Sequence, residues 1–339
     1  MQQRFYSPEL DGLRFIAALL VIIHHGPRLP FLGAIKDYGW IGVDLFLFLS
    51  AYLITRLAMI EHERTGTFDL RSFFIRRALR IWPLYLTFAT AVCALSIFKV
   101  GPGAAFGWWL THLSFTNNVA TAIVGYSPVI WSGHLWTISL EEQAYLGLAL
   151  FLAAYFASAK RRAAPIVLSA LGVLIIARLA LALLDAPHPF VWVLPLRADT
   201  FLLGCLAALM RLKNRLWYLP AGVVVMACIA LFPPMGSNGA ADVIGYTIIA
   251  AGCGLVTLGA QCLRPLGMLR YPGKISYGLY VYHLVGLYFG EILARDQPLL
   301  RMGIALAVTF ATSAVSYRLL ERPFLKLKSR FEIVPSRPA

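Results

Sequence analysis

Acidic side chains are few in this 339-residue sequence, 16 Asp plus Glu against 30 Lys plus Arg, and charged residues of both signs make up only 14% of it. Soluble globular domains carry about 25% charged residues, so an ordinary water-soluble fold is excluded. The excess of +14 is not the Lys/Arg face of a nucleic-acid binder either, because the basic residues fall in short clusters between apolar stretches. No nucleic-acid partner is expected. The cysteines, Cys93, Cys205, Cys228, Cys253 and Cys262, are odd in number and lack CxxC spacing. That argues against a disulfide framework or a zinc site, leaves them as packing residues, and goes with an expectation of no metal. No internal repeat exists on the scale of half the chain, which argues against a two-halved carrier. A cleavable signal is not expected at the N-terminus either: Asp11 and Arg14 interrupt its apolar run and no small-residue cleavage site follows, so the first segment is expected to be retained as a span.

What fills the sequence is apolar, at 59% hydrophobic residues. Stretches of about 20 residues suit roughly 30 Å of hydrocarbon. Candidate spans run over 10–26, 40–60, 81–100, 134–158, 164–184, 190–210, 216–232, 242–262, 276–294 and 300–319, with a further apolar stretch at 104–124. Positive clusters lie at Arg71/Arg76/Arg77/Arg80, Lys160/Arg161/Arg162, Arg211/Lys213/Arg215, Arg264/Arg270/Lys274 and Arg318/Arg322/Lys326/Lys328/Arg330. Positive clusters belong on the cytoplasmic side. All five share a side only if 104–124 is re-entrant or interfacial. The sequence therefore predicts an all-α polytopic membrane protein of about ten transmembrane helices, with both termini cytoplasmic. The short loops at Gly26 to Tyr38, Asp185 to Pro189 and Pro233 to Asp242 then lie outside. Residues 68–80, mixing Phe73, Phe74, Ile75 and Leu79 with four arginines, read as an interfacial helix. Residues 1–326 form one transmembrane domain, and 327–339 a short cytoplasmic basic tail.

An ionisable side chain near the bilayer centre costs roughly 2.5 to 3.5 kcal/mol on insertion scales, so each is a functional candidate. In LDGLRFIAALLVIIHH, Arg14 and His25 are close to three helical turns apart, on one face and about 16 Å apart along the axis. GWIGVDLFLFLSAYLIT brings Asp44, and HLWTISLEEQAYL brings Glu141 and Glu142, to the outer half of the same bundle. A histidine beside a carboxylate is a general-base arrangement, since the carboxylate fixes the tautomer and supports the imidazolium. At the inner side FFIRRALRIWPLYL supplies Arg76, Arg77 and Arg80, whose guanidinium forks suit phosphate oxygens. SYGLYVYHLVG places Tyr277, Tyr280 and His283 in the ninth span, and Arg197 with Asp199 reads as a mutually satisfying pair.

These segments together resemble the membrane acyltransferase-3 family, bacterial O-acyltransferases that modify surface glycans. LDGLR followed by ten residues and His, GWIGVDLFLFLSAYLIT, FFIRRALRIWPLY, LWTISLEEQAYL, ISYGLYVYH and RLLERPF are similar to the family's motifs and follow in its order, over about residues 8 to 326. The resemblance implies an enzyme of the bacterial cytoplasmic (inner) membrane that takes an acyl group, usually acetyl, from cytoplasmic acyl-CoA to a sugar hydroxyl. Acyl-CoA is then a co-substrate. The acceptor is a glycan or lipid-linked sugar, the surroundings are membrane lipids, and the pattern leaves room for a homo-oligomer. By motif position His25 and Arg14 are the required residues, with Asp44, Glu141 and Glu142 beside them, and Arg76, Arg77, Arg80, Tyr85 and His283 form the cofactor-binding set. Ser50-Ala51-Tyr52 and Glu142-Gln143-Ala144-Tyr145 depart from the family's usual Ser-Gly-Phe and Glu-Gln-Phe-Tyr, which predicts an altered pocket shape. The SGNH-type esterase-like domain of some relatives is expected to be missing. No serine lies in a nucleophile-elbow context, so direct transfer with His25 as base is expected ahead of an acyl-serine, while an acyl-His intermediate stays open. The alternatives are a proton-coupled transporter, which also needs buried His, Asp and Glu, and a non-catalytic membrane scaffold.

Overall fold

In hydrocarbon every backbone N–H and C=O must find a partner within the chain. The apolar stretches solve this as helices. The computed structural model describes residues 6–158, 162–185, 195–231 and 241–334, and among these there is no β-strand. The helices are α1 (Pro8–His25), α2 (Gly33–Tyr38), α3 (Ile41–Thr65), α4 (Leu70–Val100), α5 (Pro102–Leu113), α6 (Asn117–Val124), α7 (Trp136–Ala157) and α8 (Ala163–Leu183). They continue as α9 (Asp199–Leu209), α10 (Tyr218–Ala227), α11 (Tyr246–Ala260), α12 (Arg270–Lys274), α13 (Ser276–Ala294), α14 (Pro298–Ser316) and α15 (Arg322–Lys328). The loop residues 186–189 and 233–240, the start of the sixth expected span, and Lys160 and Arg161 lie outside the described residues.

Five helical stretches, at 41–65, 70–100, 163–183, 242–260 and 298–331, are long and apolar enough to cross a membrane. Helices α1, α7 and α13 reach spanning length too, with 18, 22 and 19 residues. These three carry Arg14, Glu141 and Glu142, and His283, and their polar residues lower their apolar character. The expected spans 190–210 and 216–232 emerge as α9 and α10, of 11 and 10 residues, with 3-10 turns at Pro195–Arg197 and Cys228–Leu231. Helices α5 and α6, of 12 and 8 residues, measure about 18 and 12 Å at 1.5 Å per residue, too short for roughly 30 Å of hydrocarbon. They pack as a bent pair along α4 and α7, as a re-entrant or interfacial segment does.

The separate interfacial helix expected at 68–80 does not form. It is the first part of α4, which runs unbroken for 31 residues through Pro83. The start is fixed by Asp69, whose Oδ1 accepts from the Ser72 backbone N–H at 3.1 Å and whose Oδ2 accepts from the Ser72 hydroxyl at 2.6 Å. Those two bonds hold the Asp69 carboxyl below the usual carboxylate range. Pro83 removes one backbone donor, and packing of Ile81, Leu84, Tyr85 and Phe88 in the core keeps the helix whole. Residues 328–334, expected within a free tail, lie against α4: Arg76 donates to the Phe331 carbonyl at 2.8 Å, and Val334 is buried.

The core is built on α1 and α3. A side chain at Gly42 would strike the Ala17 carbonyl, so α3 approaches α1 at backbone distance. Gly286 and Gly290 do the same for α13 against Ala305 and Arg301 of α14, a small-xxx-small seam of the kind membrane helices use. Helix α3 is mostly buried, whereas α8 turns most of its surface outward. The residues that bear the chemistry therefore sit on the inward faces of α1, α3, α4, α7 and α13.

Candidate functional site

At one end of the bundle His25 closes α1. Its Nδ1 is 3.0 Å from the Val21 carbonyl one turn back. A carbonyl only accepts, so Nδ1 carries the hydrogen and Nε2 keeps its lone pair. The adjoining loop is tied down by Lys36, which donates to the His24 and Gly26 carbonyls at 2.9 and 2.6 Å and so meets the negative end of α1. The Lys36 carbonyl accepts from His24 Nδ1 at 2.7 Å. Burial, with Arg28 nearby, holds the Lys36 ammonium below the usual lysine range. His25 is exposed and opens onto a cavity of about 460 Å³. His25 and His134 line it, and the buried ring of His283 stands between them, 5.0 Å from His25 and 4.6 Å from His134 between ring centroids. Nδ1 of His283 donates to the Tyr280 carbonyl at 2.5 Å, which sets the same tautomer as in His25. Among the described residues no group of three or more His, Cys, Asp or Glu is placed to hold a metal ion.

At the other end a chain of small hollows of about 70, 60 and 20 Å³ runs between α1, α3, α4 and α15. Arg14, Arg77 and Arg80 line the first two, and Arg77 and Lys328 the last two. Arg77 lines all three hollows, and its Nε is buried with no hydrogen-bond partner among the described residues. Guanidinium forks on a narrow basic passage suit a phosphorylated ligand with a slender arm. The two systems meet inside the bundle. Val43, Thr137 and Tyr280 line both the 460 Å³ cavity and the first hollow of the arginine end.

Several expected site residues are placed elsewhere. Asp44 does not reach His25: Arg197 Nε binds its Oδ1 at 3.0 Å and Arg197 Nη2 binds its Oδ2, under a cage of Trp40, Trp136 and Tyr246. The expected Arg197 and Asp199 pair does not form, because Asp199 is held by Arg178 at 2.6 and 3.0 Å. Residues two apart point to different sides, and each finds its partner across the bundle. Glu141 faces the arginine hollow and accepts from Ser50 at 2.8 Å and from Tyr145, while Glu142 accepts from Trp82 at 3.3 Å. Neither orients the imidazole of His25, whose partner is a backbone carbonyl.

In the expected cofactor-binding set, Arg76 is engaged by Glu61 at 2.9 Å and lies off the first hollow. Tyr85 is buried against Phe115, His112 and Ser139, lining neither the 460 Å³ cavity nor the arginine hollows. His283 sits beside His25 at the opposite end. Sequence reasoning missed His134, Thr137, Arg178 and Lys328 as site or support residues. His134 and Thr137 both precede Glu141 in the same motif: Thr137 stands one helical turn before Glu141, and His134 lies in the turn just before α7 begins at Trp136. Ala51 is buried against Gly204, which leaves room for its methyl, and Ala144 lines a separate apolar cavity of about 310 Å³ between α7, α8 and α9.

The chain is similar to the peptidoglycan O-acetyltransferase OatA of Listeria monocytogenes, at 28% identity over 95% of this chain and 56% of the relative. A putative O-acetyltransferase of Staphylococcus aureus is 29% identical over 95% of this chain and 58% of its own length. The putative peptidoglycan O-acetyltransferase YrhL of Bacillus subtilis is 28% identical over 95% and 55%. The chain spans a little over half the length of these curated relatives. No solved structure matches it. The sequence profile of an acyltransferase domain, acyltransferase-3, matches residues 7–318, which takes in the 460 Å³ cavity and the first hollow of the arginine end; the chain belongs to that family of membrane acyltransferases.

Proposed function

We propose that this protein is a membrane O-acetyltransferase that takes acetyl from acetyl-CoA at the arginine end and delivers it to a glycan hydroxyl at the histidine end, with peptidoglycan or a lipid-linked precursor of it as the acceptor. The observation that carries this reading is the contact of two unlike cavities at Val43, Thr137 and Tyr280. The basic hollow offers Arg14, Arg77 and Arg80 to phosphate oxygens, and a pantetheine arm is slender enough to follow it inward. The wider cavity offers room for a sugar and a base with a free Nε2. His25 takes the proton of the acceptor hydroxyl as that oxygen attacks the thioester, and afterwards gives it to the leaving sulfur. The names of the relatives support a glycan acceptor. The basic clusters support an arginine end facing the cytoplasm of a bacterial inner membrane.

The test uses the full-length protein purified in detergent with acetyl-CoA and soluble muramyl glycan fragments. Release of free thiol, matched by a mass increase of one acetyl group on the glycan, is the expected result. A proton-coupled carrier would consume no acetyl-CoA outside a sealed vesicle, and absence of thiol release from a folded sample overturns the reading.

A further inference from the structure

The junction of the two cavities has a chemistry of its own. Of its three residues Val43 supplies only hydrocarbon, whereas Thr137 and Tyr280 turn hydroxyls toward each other, with Thr137 Oγ1 and Tyr280 Oη 2.6 Å apart. Both also lie within reach of one backbone acceptor, the His134 carbonyl, at 3.2 Å from Thr137 and 3.0 Å from Tyr280. Two hydroxyl hydrogens serve three contacts. Each hydroxyl rotates about its C–O bond, so both hydrogens can turn to a ligand oxygen on which charge develops. The two side chains are only 6% and 8% exposed, so a bond to developing charge there is little weakened by water. A pair that merely braced α7 against α13 could lie anywhere along their contact, yet this one lies where a donor from one cavity and an acceptor from the other come together.

Resting on the acyltransferase reading above, we propose that this junction holds the thioester carbonyl and that the hydroxyls of Thr137 and Tyr280 stabilise the oxyanion. The acceptor oxygen bonds to the carbonyl carbon as its proton passes to His25 Nε2. The C=O π pair moves onto the carbonyl oxygen, which takes a hydrogen bond from Tyr280 and one from Thr137. On collapse the C=O re-forms, the C–S bond breaks with its electron pair on sulfur, and sulfur takes the proton from His25. The products are a glycan ester and free thiol, and His25 is again neutral.

The experiment compares purified wild type with Tyr280→Phe, Thr137→Val, their double variant and Thr137→Ser. Loss of one oxyanion donor typically costs about 10² to 10³ in kcat. Tyr280→Phe and Thr137→Val are expected to lose that much with KM for acetyl-CoA changed less than about twofold, since the bond forms mainly in the transition state. Thr137→Ser keeps the hydroxyl and is expected to keep most of the turnover. A second measurement separates catalysis from bracing. In the non-turning-over His25→Ala protein, bound acetyl-CoA labelled with 13C at the thioester carbonyl should show its infrared stretch below the value in water. Adding Tyr280→Phe and Thr137→Val should return the stretch toward that value. Wild-type turnover in the double variant, or an unmoved carbonyl stretch despite lost turnover, overturns the assignment and leaves the acyltransferase reading intact. A wild-type protein that consumes no acetyl-CoA sinks both, and this is seen before any variant is compared.

Discussion

The Nδ1 hydrogen of His25 points at the Val21 carbonyl, and this leaves Nε2 as the nitrogen that can act as a base. Removing a general base costs about 10² to 10⁴ in rate. His25→Ala is therefore expected to insert and bind acetyl-CoA normally while turnover, read by thiol release, falls by that factor. His24 faces the same cavity but is tied to the Lys36 loop, so His24→Ala should lose far less. A neutral imidazole base also predicts that the rate falls as acid protonates it, an acid limb that residual activity of His25→Ala should lack; equal losses in the two alanine variants would refute the assignment.

Asp44 and Arg197 are a different kind of residue. Both are buried, and each satisfies the other. Removing one partner of a buried pair strands a charge and costs about 3 to 5 kcal/mol, whereas replacing both by apolar residues is often neutral. Asp44→Leu should lower the melting temperature sharply, and Asp44→Leu/Arg197→Met should recover most of it. The sequence announced that these residues were costly but not who satisfied them, because pairing across 153 positions is a product of packing.

Among the elements, those with strong local signals were legible and those shaped by neighbours were not. Pro8 at the first turn of α1 and the left-handed Gly66 closing α3, with φ of 72° and its N–H bonded to the His62 carbonyl, are local chemistry. The arginine-rich stretch 68–80 read as a surface helix because its charge is locally high. In the fold Arg76 of this stretch is received by Glu61 and by the Phe331 carbonyl, and the second lies 255 residues away in sequence. The seam of α13 with α14 offers a sharper test. A side chain at Gly286 would overlap Thr309 Oγ1 and the Ala305 carbonyl, and both belong to a rigid helix that cannot yield. Gly286→Leu should separate the helices, at a cost at or above the usual 1 to 3 kcal/mol, roughly, of overpacking. Because α13 carries Tyr280 and His283, turnover should fall together with the melting temperature. Retention of both would show that the seam tolerates a gap.

For the whole molecule the decisive geometry is that the first turns of α4 and the segment after α15 touch, with Arg76 on the Phe331 carbonyl at 2.8 Å. Residues in contact lie on one side of the membrane, so the chain between them crosses an even number of times. Helices α4, α7, α8, α11, α13 and α14, together with the expected spans 190–210 and 216–232 of which α9 and α10 are parts, satisfy that if each crosses once, and a crossing at 104–124 would break it. With α1 and α3 the total would then be ten, and the loop between those two helices, carrying Phe31, lies at the histidine end. In the proposed orientation the basic clusters put the arginine end in the cytoplasm. Single cysteines at Phe31, Arg71 and Ser329, all exposed positions, test both statements in a Cys228→Ser/Cys262→Ser background, where the remaining cysteines are buried. An impermeant thiol reagent added to intact cells should label the cysteine at 31, and label those at 71 and 329 only after the membrane is opened. Labelling of 71 and 329 but not 31 would invert the orientation and put the proposed coenzyme site on the wrong face for acetyl-CoA. Different behaviour at 71 and 329 would make the number of crossings between them odd and return 104–124 to the list of spans.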